Sequence, residues 1–343
     1  MATATDTNLT SSTGLPPEAS SAEESYLDLP DGRRLAYASS GDPTSSCLVI
    51  FFHGVFGVGV AEPISPSSVL AKGVHCINPT LQGWGTSSPA PKGVPYHVTL
   101  AKDTTALINH LHPDDSNLRI FVAGGSFGTV PAQMLYGAPF DLFPHGRNIV
   151  GCLLLAPFSP FKYHKDYTKT MAMANYIAIG PPSQWIPFNL FQRLAAHYLK
   201  GKLRSKATAE AFVREEIFDK MKDEEKAAFK KWREERGKKE GEVEARFASN
   251  MFRSVEHTWD GYMAMADICH SDWGFRPDTL DEEHNRRPIL IVGSEGDTMT
   301  PDAMAKWLAA NYKNSRYRSL SGGHLAALFH IEDIWRELFE LAT

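Results

Sequence analysis

Four segments of this chain are apolar almost without interruption: "CLVIFFH" (47–53), "LRIFVA" (118–123), "NIVGCLLLAP" (148–157) and "RPILIVGS" (287–294). A strand with one wet face alternates apolar and polar residues, so a short run lacking that alternation reads as a strand buried on both faces. Such strands need helices on either side of the sheet. The intervening sequence supplies them. "LAKDTTALINHLH" (100–112) has apolar residues at helical spacing, "PAQMLYG" (131–137) ends on a glycine, a helix is expected from Pro301, and "IEDIWRELFELA" (331–342) closes the chain. "GVHCINP" (73–79) reads as another buried strand, "SRYRSL" (315–320) as a last strand, and "SYLDLPDGRRLAYAS" (25–39) as a hairpin about Asp31-Gly32. The expected fold is α/β: a mostly parallel central sheet of about eight strands flanked by helices.

The rhythm breaks between 158 and 286, where no comparable strand signal occurs. That stretch opens aromatic and proline-rich and turns charged at 214–246. Ile217, Met221, Phe229 and Trp232 mark an apolar stripe through the charges, which predicts helices with solvated outer faces inserted between two strands. Residues 1–24 carry no periodic apolar residues and are expected to be disordered. The chain has 343 residues and a formal charge of −5, which argues against a nucleic-acid partner. No apolar run is long enough to span a bilayer, and no secretory pattern opens the chain, so no membrane partner is expected. Cys47, Cys76, Cys152 and Cys269 lack metal-like spacing. They fit small hydrophobes in a reducing, cytoplasmic setting.

The most informative short segment is "FVAGGSFGTV" (121–130). G-x-S-x-G arises by accident in about one chain of this size in ten, so its context must carry the reading. Here a buried strand precedes it and a helix follows. That is the setting of a tight strand-to-helix turn that holds a nucleophilic serine, Ser126, above the strand end. An activated serine needs a base, a group that orients the base, and donors for the developing oxyanion. His324, in "SLSGGHLAAL" after the last strand, is the candidate base. Asp297, in "IVGSEGDTMTP", is the candidate acid, with Glu295 competing. The oxyanion donors are assigned to the backbone N–H groups of Phe127 and Val55, with Phe56 the alternative to Val55.

Ser126, Asp297 and His324 follow three different strands in that order. In this respect, and in "LVIFFHG", "NPTLQGWGTSSP", "AGGSFGT", "GSEGDTMTP" and "SGGH", the chain resembles the α/β-hydrolase superfamily over roughly 25–157 and 287–343. The resemblance implies that 158–286 is a helical cap over the site. Gly83, Gly85 and Ser87 match the family's D-x-x-G-x-G-x-S loop, while Thr80 replaces its usual Asp. Ser126 argues against epoxide hydrolases and haloalkane dehalogenases, which use Asp. "GGSFGT" is similar to the proline iminopeptidase elbow, but His53-Gly54-Val55-Phe56-Gly57 departs from that subfamily's H-G-G-P-G.

The expected activity is that of a serine hydrolase without metal or cofactor, acting on a small or medium apolar ester or lactone. Phe56 and Trp84 are expected at the substrate, with cap aromatics such as Trp185, Phe188, Phe191, Trp259 and Tyr262 behind them. An aminopeptidase, a lyase on the same three residues and a non-catalytic binding protein are the rival readings.

Overall fold

The computed structural model describes residues 24–60, 73–113 and 117–343. The expected disordered tail, apart from Glu24, lies outside the described residues. Among the described residues eight strands form one sheet: β1 (Ser25–Asp28), β2 (Arg34–Gly41), β3 (Cys47–Phe52), β4 (His75–Pro79), β5 (Arg119–Gly125), β6 (Ile149–Leu155), β7 (Ile289–Ser294) and β8 (Ser315–Leu320). Their order is β1-β2-β4-β3-β5-β6-β7-β8. β1 and β2 form the antiparallel hairpin and β2 runs antiparallel to β4. From β4 onward every neighbouring pair is parallel.

The main helices are α1 (Tyr96–Leu111), α2 (Thr129–Tyr136), α3 (Met173–Ile179), α4 (Leu190–Lys202), α5 (Lys206–Val213), α6 (Asp223–Glu235), α7 (Glu242–Val255), α8 (Asp260–His270), α9 (Asp302–Asn311) and α10 (Ile331–Leu341). Among the described residues no helix is long and apolar enough to cross a membrane.

Two separate cores explain the uninterrupted apolar runs. Leu48, Ile50 and Phe52 of β3 point into one core, together with Ile120 and Val122 of β5 and Ile289 and Ile291 of β7. Val49 and Phe51, Phe121 and Ala123, and Leu290 and Val292 point into the other. Alternate residues thus serve opposite faces, as the pleat demands. The first core is covered by α1, α2 and α9 through residues such as Leu107, Met134 and Leu308. On the second, α10 lays down Ile334, Trp335, Leu338 and Phe339. Each such side chain, fully buried, stabilises by about 1.5–3 kcal/mol.

Between β6 and β7 only helices occur. The charged stretch keeps its solvated face, and Met221, Phe229 and Trp232 are buried as the stripe requires. Ile217 is half-buried, and Phe218 takes the inward position. The reason is a wide π-type turn over Arg214–Phe218, which shifts the inward register by one residue. Phe229 and Trp232 pack on Phe329, which belongs to the segment after β8.

Candidate active site

The parallel register sets the candidate loops at one end of the sheet, in two neighbouring pairs. Phe52 pairs with Gly124, so the chain leaves β3 and β5 side by side. Ser294 pairs with Leu320, so the loops after β7 and β8 also emerge as neighbours. Two backbone bonds join those loops: Glu295 N–H to Leu320 O at 3.0 Å and Gly296 N–H to Gly322 O at 2.9 Å.

Ser126 follows the last residue of β5 and sits at φ 54°, a left-handed value that a side-chain-bearing residue adopts only when its surroundings impose it. Two of the flanking glycines are required by close approach. A Cβ on Gly124 would lie 2.1 Å from Gly128 O, and one on Gly128 would lie 2.1 Å from Phe52 O. Gly125 is different, since a Cβ there would meet only Phe51 Cζ at 3.7 Å. Gly128→Ala is therefore expected to destabilise the fold by about 1–3 kcal/mol or more and to displace Ser126. Gly125→Ala is expected to leave both intact. Thermal melts and ester turnover of the two variants check this, and equal behaviour would refute it. Ser126 is half-buried, and its Oγ has no hydrogen-bond partner among the described residues.

Asp297 and His324 are in direct contact, Nδ1 to Oδ2 at 2.7 Å. The buried Asp297 carboxylate also accepts from Met299 N–H (2.8 Å), Thr300 N–H (3.0 Å) and the Thr300 hydroxyl (2.7 Å). Burial pushes this carboxyl up. The His324 charge and hydrogen bond, with the Thr300 hydroxyl and N–H, outweigh burial and hold the carboxyl below its usual range. Glu295 is exposed and makes no side-chain bond among the described residues, so Asp297 is the carboxylate that meets the imidazole. His324 has 17 % of its side chain exposed, with Nδ1 engaged and Nε2 without a hydrogen-bond partner among the described residues. Ser126 and His324 are not hydrogen-bonded to each other here.

Residues 54–57 form a turn closed by Gly57 N–H to Gly54 O at 3.2 Å, with Phe56 at φ 57°. Gly54 approaches Ser126 so closely that a Cβ there would lie 3.3 Å from the serine Cβ. Neither Val55 nor Phe56 N–H has an acceptor among the described residues, so both remain open to an oxyanion.

The turn hangs from His53. Its Nδ1–H donates to Gly54 O at 2.8 Å, and its Nε2 accepts from Leu81 N–H at 2.9 Å, which fixes a neutral ring. Burial lowers the His53 pKa to about 4. Unfolded, the ring titrates near pH ~6.5. The unfolded chain therefore binds the extra proton first as pH falls. The stabilisation is complete above about pH 6.5 and is lost progressively towards pH 4, amounting to about 3 kcal/mol. Denaturant titrations at several pH values are expected to show unfolding taking up nearly one proton at pH ~5 on account of His53, an uptake that His53→Gln should lack.

The sequence profile of the alpha/beta hydrolase family matches residues 49–338. The chain belongs to the alpha/beta hydrolase family. No curated protein sequence matches it. Among solved structures it is similar to a hydrolase from Pseudomonas aeruginosa PA01, at 18 % identity and a TM-score of 0.60, over 94 % of this chain and 99 % of that one. It is also similar to a thermophilic esterase from Thermogutta terrifontis, at 17 % identity and a TM-score of 0.52, over 94 % and 100 % of the two chains. A bromoperoxidase from Bacillus anthracis matches at 13 % identity and a TM-score of 0.56, over 93 % and 99 %.

In this alpha/beta hydrolase Thr80 stands where the family loop usually has Asp. It is fully buried, and its hydroxyl accepts from Gly59 N–H at 2.9 Å, tying the loop after β4 to the loop after β3. Trp84 corrects an expectation. It is 1 % exposed and supports Phe56 edge-on at 5.7 Å, so it has no surface to offer a ligand. Phe56 is half-buried and stacks on Tyr262 at 5.2 Å, with Trp259 edge-on at 6.1 Å. Trp185 and Phe188, expected among the cap aromatics, instead face solvent at 75 % and 85 % exposure. A cleft of about 450 Å³ beside Tyr26 and Arg253, and another of about 640 Å³ beside His97 and Tyr163, both lie away from Ser126.

The helical insertion of this alpha/beta hydrolase touches all the loops around the site. Gly261 N–H donates to Gly83 O, and Gly85 N–H donates to Ser254 O, each at 2.8 Å. Ala172 N–H donates to Thr298 O at 2.9 Å, one residue beyond Asp297. Glu225 of α6 accepts Gly323 N–H at 2.7 Å, one residue before His324. Sequence reading missed Glu225 and Thr300, whose partners lie in other loops or depend on the local turn. It also missed Thr129 and Gln133. The Thr129 hydroxyl donates to Ser126 O and accepts from Phe158 N–H, and the Gln133 amide donates to Phe158 O. Two buried polar residues on an apolar helix are the signal that could have found this clamp.

Proposed function

We propose that this alpha/beta hydrolase is a serine hydrolase that cleaves small or medium apolar carboxylic esters or lactones through an acyl-enzyme, without metal or cofactor. The observation that carries the reading is the Asp297–His324 pair, 2.7 Å apart, on loops that leave the same end of the parallel sheet as a serine held at φ 54°. Ser126 Oγ attacks the carbonyl carbon as His324 Nε2 takes its proton. Phe127 N–H, with Val55 or Phe56 N–H, receives the oxyanion. His324 then returns the proton to the leaving alcohol, and water repeats the sequence on the acyl-enzyme. The reading requires the Ser126–His324 bond to close when substrate binds, as catalytic hydrogen bonds commonly do.

Residues 158–286 act as the cap in this reading, and Phe56, Trp259 and Tyr262 supply an apolar wall. Esterases among the structures it resembles support the same substrate class. The ring cluster and the departure from H-G-G-P-G favour esters over aminoacyl substrates. The buried Cys152 and Cys269, with thiols serving as small hydrophobes, fit a cytoplasmic protein.

A fluorophosphonate probe is expected to label the protein at Ser126. On p-nitrophenyl esters, kcat/KM should rise by about fourfold per methylene, from about 0.8 kcal/mol each, until the pocket fills. Trp259→Ala should move that optimum, aminoacyl anilides should be poor substrates, and EDTA should change nothing. Absence of labelling, or labelling at another serine, would sink the proposal.

A further inference from the structure

The outer surface of α3, α4 and the turn between them is built against the usual pattern. α4 buries Gln192 and Ala196 and turns Leu190, Leu194 and Tyr198, at i, i+4 and i+8, towards solvent. A surface helix ordinarily confines its apolar residues to the inward face, where Ala195, Ala196 and Leu199 lie here. Leu194 and Tyr198 are 59 % and 58 % exposed, and Met173 of α3 is 70 % exposed. Between the helices stand the exposed Trp185 and Phe188, neither in an aromatic contact among the described residues. Phe188 and Asn189 both take left-handed φ values, 61° and 52°. That conformation suits asparagine but is unfavourable for Phe188, which recovers little by burial within the chain.

The charge of the segment that carries this apolar surface is one-sided. Residues 167–209 contain six Lys or Arg and no Asp or Glu, in a chain whose net charge is −5. Arg193, Lys200, Lys202, Arg204 and Lys206 form no ion pair among the described residues. Asp267 of α8 approaches this surface, 3.4 Å from the Gln184 amide.

We propose that this face docks on an anionic lipid surface. Protruding Trp, Phe, Leu and Met side chains enter the headgroup and acyl boundary, while the cations meet lipid phosphates and carboxylates. The other candidate occupant, a second copy paired about a twofold axis, would set the same cations against each other. The early expectation of no membrane partner rested on the lack of a spanning segment, and docking needs none. The bond from Ala172 N–H to Thr298 O joins the start of α3 to the Asp297 loop, so the docked face adjoins the candidate site. The inference does not rest on Ser126 chemistry.

Flotation of the full chain with vesicles tests it, using phosphatidylcholine alone and phosphatidylcholine with about 30 mol% phosphatidylserine, at about 0.1 M salt. The anionic vesicles are expected to take up at least about tenfold more protein, and salt of about 0.5 M should weaken the binding. Leu194→Glu and Tyr198→Ser should each reduce binding several-fold while melting temperature and p-nitrophenyl acetate turnover stay unchanged. Ser126→Ala should bind as the wild type does, so failure here is distinct from failure of the hydrolase reading. No flotation with either vesicle, or binding that Leu194→Glu leaves intact, would overturn the proposal. A dimer in sedimentation equilibrium that Leu194→Glu dissolves, without vesicle binding, would assign the face to a second copy instead.

Discussion

Ser126→Ala is expected to abolish fluorophosphonate labelling and to lower kcat by about 10⁶, the scale seen when a triad serine is removed. The fold should not respond. Alanine keeps the Cβ, so the strain at φ 54° is already present in the wild type. The serine hydroxyl has no partner among the described residues, so its loss orphans no buried group. The melting temperature should therefore stay within the range of an ordinary surface substitution, about 0.5 kcal/mol. A variant that still turned over esters at a sizeable fraction of the wild-type rate would remove Ser126 from the mechanism, whatever its stability.

Asp297→Asn is expected to lower kcat by about 10⁴. The cause is a forced change of tautomer. Asp297 Oδ1 accepts two backbone N–H groups, from Met299 and Thr300, so an asparagine keeps its carbonyl oxygen there. Its amide nitrogen then replaces Oδ2, facing His324 Nδ1 and the Thr300 hydroxyl. A donor at that position requires Nδ1 to accept, which leaves the proton on Nε2, where the base must be free. Glu295→Gln should change kcat by less than about twofold, because that side chain is exposed and makes no bond among the described residues. The reverse ranking in steady-state kinetics would move the acid role to Glu295.

The loops around this site show where local reading ends. Asp297 and Glu295 are two residues apart, both after β7 and both before α9. Only the turn closed by the Met299 and Thr300 N–H groups points Asp297 at the imidazole. Trp84 and Phe56 read alike as aromatic residues in glycine-rich loops, yet one is enclosed by the insertion and the other is half open. Phe218 displaced Ile217 because a wide turn added a residue that no periodicity announces.

The amino-acid order by itself determined the sheet, the helices that cover it and the elbow at Ser126. Those features depend on which residues avoid water at a spacing of two or 3.6, and on Gly124 and Gly128 where backbones meet, all of it written within a few consecutive residues. The tertiary structure alone decided which carboxylate meets His324, how Glu225 of the insertion grips the next residue back, and that Trp185 and Phe188 face outward. Each of these is a contact, or the lack of one, between segments far apart in the chain. The parallel register and the packing of the insertion set it, and no local pattern encodes that distance.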